Sequence, residues 1–185
     1  MFALKESSPV VVKASVAIQR PSEQVFRFIG ERFVANYPRW SPEVLEVKQI
    51  SPGPVRVGMR ARQVRVDLGH RTESVFAVTI FEHGRRICFE GMSCPYRCDY
   101  ALEEIRPNHS TRLSFTFELP RVELYMRPFE TLIREAIRDG VERTVGKLKS
   151  LLEAERSECV PGHRPALGGY GDIFAPARVL DQARE

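Results

Sequence analysis

The apolar residues of this chain change period along its length. Over residues 10–18, Val12, Ala14, Val16 and Ile18 share one parity, while Lys13 and Ser15 take the other. That two-residue period predicts a strand with one buried face. Over residues 123–154 the steps become three and four: Leu124, Tyr125, Phe129, Leu132, Ile133, Ala136, Ile137, Val141, Val145, Leu148, Leu151 and Leu152. This is one apolar stripe on a helix, about 45 Å long at ~1.5 Å per residue. Its other face is charged, with Arg134, Glu135, Arg138, Asp139, Glu142, Arg143, Lys147 and Lys149. Such a stripe needs a cover, and most of the preceding chain reads as strand.

Pro21-Ser22 stops the first strand. Ser22 is placed to cap a short helix over residues 23–29, with Val25, Phe26, Phe28 and Ile29 as its compact apolar face. Gly30 is expected to break it, and residues 31–37 to form a second short helix. Residues 36–42 hold two prolines, Pro38 and Pro42, which argues against regular helix there. Tyr37 and Trp40 in this stretch either plug the end of the core or wall a pocket. Strands follow over residues 44–50, 57–68, 72–82, 86–91, 96–105 and 111–119. Turn signals separate them, including Ser51-Pro52-Gly53-Pro54, Gly69-His70, His83-Gly84 and Pro107-Asn108. The last strand alternates most clearly, with Leu113, Phe115, Phe117 and Leu119 against Arg112, Ser114, Thr116 and Glu118. Short turns between successive strands predict an antiparallel meander.

The expected fold is therefore α+β: a curved antiparallel sheet of about six to seven strands around a long C-terminal helix, with two short helices after the first strand. A curved sheet cannot touch a straight helix evenly, so a cavity between them follows from the shapes. Residues 1–9 are expected to be an N-terminal extension, 10–154 the domain, and 155–185 a Gly/Pro-rich tail. The tail either is loosely attached or lies across the domain through Leu167, Tyr170, Ile173 and Phe174, with a short helix over 177–183.

The segments ASVAIQRPSEQVFRFI, NYPRWSPEV, VGMRARQ, TIFEHGRRICFEG, YALEEIRPNHSTRLSFTFEL and GVERTVGKLKSLLE, in this order and spacing, resemble the SRPBCC superfamily. That superfamily is also called START-like or Bet v 1-like and has the helix-grip fold. Within it the chain is most similar to the polyketide cyclase/dehydrase and coenzyme Q-binding-like group. The resemblance covers about residues 10–153. It implies the fold strongly and function weakly, because the superfamily includes binders, lipid carriers and cyclases.

Composition narrows the classes. Of 185 residues, 43% are hydrophobic, enough for a core, and 28% are charged. No apolar run approaches the ~20 residues that cross a membrane. The N-terminus lacks the basic and apolar regions of a signal peptide, so a cytoplasmic protein without membrane insertion is expected. The net charge of +4 comes from basic residues interleaved with acids, which disfavours a nucleic-acid partner. Cys88, Cys94, Cys98 and Cys159 have no zinc-type spacing and are expected to be reduced thiols. Neither metal nor cofactor is expected, and oligomeric state is left open.

No GxSxG, HExxH, P-loop or GxGxxG motif is present. His70, His83, His109 and His163 fall in turns or the tail, and Asp99, Glu103 and Glu104 read as surface charge. The informative stretch is residues 59–67. One register turns Met59, Ala61, Gln63 and Arg65 inward, as the family resemblance implies. That register puts an amide and a guanidinium in an apolar cavity, able to orient a carboxylate or ketone. The other turns Val64 and Val66 inward and leaves Arg65 in water, which avoids burying a charge.

The expected ligand wall is Tyr37, Trp40, Phe76, Phe89, Tyr100, Phe115 and Phe117, with Gln63 and Arg65, facing Phe129, Ile133 and Ile137 of the helix. Tyr100 would supply a hydroxyl. Solid core is the competing reading of each aromatic. Gly140, inside the helix, either permits close approach of sheet or ligand or is incidental. Function is expected to be binding or carriage of a small hydrophobic molecule, aromatic, polyketide-like or isoprenoid. The alternative is a cyclase, aromatase or dehydratase in the same cavity, with Arg65, Gln63 or Tyr100 polarising a carbonyl. A protein partner is a third reading, carried by the family resemblance alone. Residues 145–152 of the helix are expected to be plain core, and residues 129–137 to face the cavity.

Overall fold

The computed structural model describes residues 9–67, 69–107, 109–121 and 128–154. The expected helical start over 123–127, with Leu124 and Tyr125, lies outside the described residues. So does the tail, including Cys159, His163 and the segment through Leu167, Tyr170, Ile173 and Phe174.

Strand β1 (Val10–Ile18) leads into helix α1 (Ser22–Phe26), a π-helical turn (Arg27–Glu31) and helix α2 (Phe33–Trp40). Strands β2 (Val44–Gln49), β3 (Arg60–Asp67), β4 (His70–Glu82), β5 (Arg86–Gly91), β6 (Arg97–Arg106) and β7 (Ser110–Leu119) follow, then helix α3 (Glu130–Ala154). All neighbouring strands are antiparallel, in the order β1-β7-β6-β5-β4-β3-β2. This is the expected meander, with its first strand returning to pair with its last. Irregularities at Val44/Glu46, Val78/Ile80 and Glu104/Arg106 interrupt the ladders. Such bulges bend and twist a sheet, which is how this one curves around its helices.

The pairings fix the inner face. Ala14 lies opposite Phe115, which lies opposite Tyr100, which lies opposite Ile87. One row along, Val12, Phe117, Cys98 and Phe89 are successive partners. Further across, Ala61 faces Phe76 and Gln63 faces Ser74.

Two bodies fill the concavity. The first is α2, whose Phe33, Tyr37 and Trp40 recur at helical spacing and are buried. The second is α3, which lies over β1 and β7. Val141, Val145, Leu148 and Leu152 of α3 are buried, while Ile137 and Leu151 pack half-buried against the same core. The C-terminal end of α3 is also tied by polar bonds. The Gln19 amide donates to Glu153 at 2.9 Å, Arg20 Nε to the Leu152 carbonyl at 2.9 Å, and Lys149 Nζ to the Ala17 carbonyl at 2.6 Å.

The region after β1 differs from expectation in three ways. Ser22 is not the cap: it is the first residue of α1, follows Pro21, and donates its hydroxyl to Glu104 at 2.7 Å. Gly30 does not break the chain's helical course. It sits in the π-turn, where the Arg32 amide donates to the Arg27 carbonyl at 3.0 Å. A Cβ on Gly30 would come within 2.8 Å of the Phe26 ring. Finally, α2 runs through Pro38 to Trp40. An interior proline costs about 3 kcal/mol. Burying a large apolar side chain returns about 1.5–3 kcal/mol. The three rings that α2 carries inward therefore outweigh the proline.

Gly140 is not needed for close approach. Among the described residues, a Cβ there meets nothing nearer than an Arg143 nitrogen at 3.9 Å. Gly91 is the opposite case, because a Cβ there would overlap the Cys94 carbonyl and the Tyr96 ring. It lets the chain between β5 and β6 fold back onto the strand end.

Leu148→Ala should lower unfolding free energy by about 2–5 kcal/mol in denaturant titration, as buried leucine truncations do. Gly140→Ala should raise it by about 1 kcal/mol, since helix propensity improves without a clash. The third expectation concerns pH. Desolvation acts to raise the Glu153 pKa, but bonds from the Gln19 amide and Lys149 outweigh it and hold the carboxyl below its usual range. A lowered folded-state pKa contributes stability above the unfolded-state value and loses it as pH falls through the folded one. Glu153→Gln should therefore melt below the parent at pH 7, and the two melting temperatures should converge as pH drops below about 4.

Candidate functional site

Inward parity on β3 decides the site. Met59, Ala61 and Gln63 are buried, so the register that turns Val64 and Val66 inward and Gln63 outward is not the one adopted. Val64 is buried as well. Gln63 Nε2 donates to the Tyr96 hydroxyl at 2.7 Å and to Ser74 Oγ at 3.1 Å. Its Oε1 is buried and has no hydrogen-bond partner among the described residues. An unsatisfied buried acceptor costs about 1–3 kcal/mol.

Arg65 is half-buried two residues along the same strand. Its side chain bonds to the Tyr37 hydroxyl, and its charge reaches Tyr96, Cys98 and Tyr100. Burial pushes the Tyr37, Tyr96 and Tyr100 phenols and the Cys98 thiol above their ordinary ranges, and the Arg65 charge opposes this without reversing it. These groups are neutral at physiological pH. The phenols can donate hydrogen bonds but cannot take protons. Among the described residues, the buried polar side chains are Asn36, Ser41, Gln63, Ser110 and Thr111, with no carboxylate or imidazole. The set can therefore polarise a carbonyl and lacks a general base.

Seven of the expected wall residues are buried: Tyr37, Trp40, Gln63, Phe76, Phe89, Tyr100 and Phe115. The aromatic ones pack on one another rather than around an opening. Phe76 and Phe89 are 4.9 Å apart between ring centroids, Phe89 and Tyr100 6.2 Å, and Tyr100 and Phe115 4.4 Å. The Tyr100 hydroxyl accepts from Trp40 Nε1 at 3.3 Å. At this end of the concavity the core is closed.

The other end is more open. Arg65, Phe117, Ile133 and Ile137 are half-buried. Ile137 packs half-buried against the same core as Val12 and Phe117, the cross-strand partner of Val12. Phe129 departs from the expected enclosed wall: it precedes α3 and is 58% exposed. Leu132 beside it is also exposed. On the outside of the same end, a recess of about 240 Å³ lies among Glu90, Gly91, Arg97, Glu118 and Pro120, with Tyr96 as a shared wall.

Three contributors escaped the sequence reading. Tyr96 shares parity with Cys98 and Tyr100 and stacks on Phe117 at 6.2 Å. Ser74 shares parity with Phe76. Phe33 contacts Tyr37, Trp40, Phe76 and Phe89 at 4.9–6.0 Å. Strand parity for the first two, and the 33–37–40 spacing for the third, was the available signal. His83 pairs with Glu31 at 2.7 Å, Asp99 with Arg86 at 2.6 Å, and Glu103 with Arg112 at 2.8 Å. Each of the three therefore has a structural partner. Cys88, Cys94 and Cys98 are free thiols, and no group able to hold a metal occurs among the described residues.

Comparison with known proteins agrees with this architecture. No curated protein matches the chain at a significant level. Among solved structures it is similar to TTHA0849 from Thermus thermophilus, at 17% identity and a TM-score of 0.65, over 78% of this chain and 98% of that one. It is similar to a START superfamily protein from Mycobacterium smegmatis at 14% identity and a TM-score of 0.64, over 78% and 98%. A third likeness is to BexL, a di-domain ARO/CYC protein of the BE-7585A biosynthetic pathway, at 18% identity and a TM-score of 0.58, over 78% of this chain and 50% of that one. At such identities the likeness concerns fold alone. A family model described as polyketide cyclase / dehydrase and lipid transport matches residues 9–153. With residues 9–153 matched, most of its length, the chain belongs to this polyketide cyclase / dehydrase and lipid transport family.

Proposed function

We propose that residues 10–154 form a domain that holds a small hydrophobic molecule between the N-terminal half of α3 and the inner face of the sheet. The observation that carries this is the contrast between the two ends of the concavity. One end is filled by mutually packed rings. The other has a half-buried apolar side, with Val12, Phe117 and Ile137, next to the inward polar pair Gln63 and Arg65. A site with an apolar body and few polar groups orients a ligand by its polar end and holds it by its rings. Aromatic, polyketide-like and isoprenoid molecules all suit such a lining. No helix among the described residues is long and apolar enough to cross a membrane.

A second reading is catalytic: a cyclase, aromatase or dehydratase on a poly-ketone substrate. It is favoured by the Arg65 guanidinium among neutral phenols. These donors would stabilise an enolate oxygen, and the pocket's shape would select the ring closed. Without a buried base among the described residues, carriage is the simpler use of the site.

Native mass spectrometry of the purified protein should show a co-purified small molecule or, after stripping, one bound 1-anilinonaphthalene-8-sulfonate per chain. Phe117→Glu should weaken that probe at least about tenfold while the circular dichroism spectrum is retained. Unchanged affinity in a folded Phe117→Glu variant would remove Phe117 from the site. Turnover of a poly-β-ketone model substrate, lost in Arg65→Met, would instead select the catalytic reading.

A further inference from the structure

Strand β2 ends the sheet order, so one of its edges has no neighbouring strand among the described residues. The other end of the sheet differs, because β1 lies under α3. Along β2 and just after it, Leu45, Glu46, Lys48 and Ile50 are exposed. The Ile50 amide donates to the Arg60 carbonyl at 2.9 Å, toward β3. Backbone groups alternate in direction along a strand. Those of Lys48 and Glu46 therefore also face β3, and Val47 and Gln49 turn their N–H and C=O to the open edge. Such a row is a template for another strand.

The charges select which strand can pair. Glu46 and Lys48 lie on the outer face of the sheet, opposite Val64 and Arg62. Glu46 is 3.1 Å from Arg62, which Glu73 also holds at 3.0 Å. Lys48 has no ion-pair partner among the described residues. An antiparallel copy of β2 centred on Val47 sets Glu46 opposite Lys48 twice. A centre moved to Glu46 sets that carboxylate against itself, and a centre moved to Lys48 does the same for the ammonium. Opposite charges across a strand pair favour it and like charges oppose it. The Val47 register also makes Val47 and its copy a hydrogen-bonded pair. The Glu46–Lys48 pairs are then the non-hydrogen-bonded ones, about 4.5 Å apart at Cα, where side chains approach closest. A bulge and a lysine blunt an edge against unlike strands. Glu46 two residues from Lys48 reopens it to an antiparallel copy.

We propose that β2 pairs with β2 of a second copy of this chain in the Val47-centred register, joining two sheets into one across a two-fold axis. The surface is independent of the ligand cavity. A strand of 6 residues is a small footprint, well below a standard interface, so the dimer is weak, with a dissociation constant on the order of 10–100 µM.

Sedimentation velocity of the full chain from about 2 to about 300 µM reads this directly. Reducing buffer keeps the exposed Cys94 from bridging chains. The mass should rise with concentration from 21.2 kDa toward twice that value. Lys48→Glu and Glu46→Lys should each raise the dissociation constant at least about tenfold. Their equimolar mixture should dimerise again, because one chain then brings two acids and the other two bases. Val47→Pro removes an N–H that faces the open edge, so it should keep the circular dichroism spectrum and lose the dimer. A wild-type chain that stays monomeric over the whole range overturns the proposal, and this arm needs no variant to fold. A dimer unchanged in Lys48→Glu and Val47→Pro also overturns it, placing the contact elsewhere. So does a mixture of the two charge reversals no more associated than its separate components.

Discussion

The packing of Phe33 against four other rings is the contact from which the rest of the arrangement follows. It seats α2 against β4 and β5, where Phe76 and Phe89 stand. With that half of the concavity occupied, α3 is confined to the β1–β7 half. The polar residues Gln63 and Arg65 come from β3, at the other side of α2's ring cluster from β1 and β7. Dispersion and apolar burial thus decide where the polar groups can be used.

The polar groups themselves are governed by low dielectric. A guanidinium beside a phenol favours the phenolate. Here burial dominates, and the phenols stay protonated. The same burial makes the Cys98 thiol inert as a nucleophile, because the thiolate is the reactive form. What remains among the described residues is a set of neutral phenols beside a guanidinium, with no buried carboxylate or imidazole.

The periods of two and of three-to-four carried the architecture, since sheet and long helix bury one face each and must show it in sequence. The strand over residues 10–18 and that over 86–91 coincide with β1 and β5. What was hidden depends on contacts distant in sequence. Helix α2 could not be read through Pro38, because the rings that outweigh the proline meet partners on β4 and β5. The register of β3 was undecided because Met59, Ala61 and Gln63 alternate with Val64 and Val66 at comparable hydrophobicity. Tyr96 breaks the tie by bonding Gln63, and nothing local to residues 59–67 announces it. Phe129 fitted the helical stripe but precedes the part of α3 that the core covers, so spacing alone overstated its burial.

The ties of α3 are distributed unevenly. The bonds to Ala17, Gln19 and Arg20, together with Leu148 and Leu152, cluster near its C-terminal end. Arg143 adds a link to Glu43 at 3.4 Å, and N-terminal to Val141 the described helix has no fully buried side chain. The helix is in effect a cantilever, clamped at one end and lightly supported at the other. Local opening free energy should then fall steadily from Leu152 toward Glu130. Hydrogen exchange along one helix would then run from slow to fast without any break in its backbone.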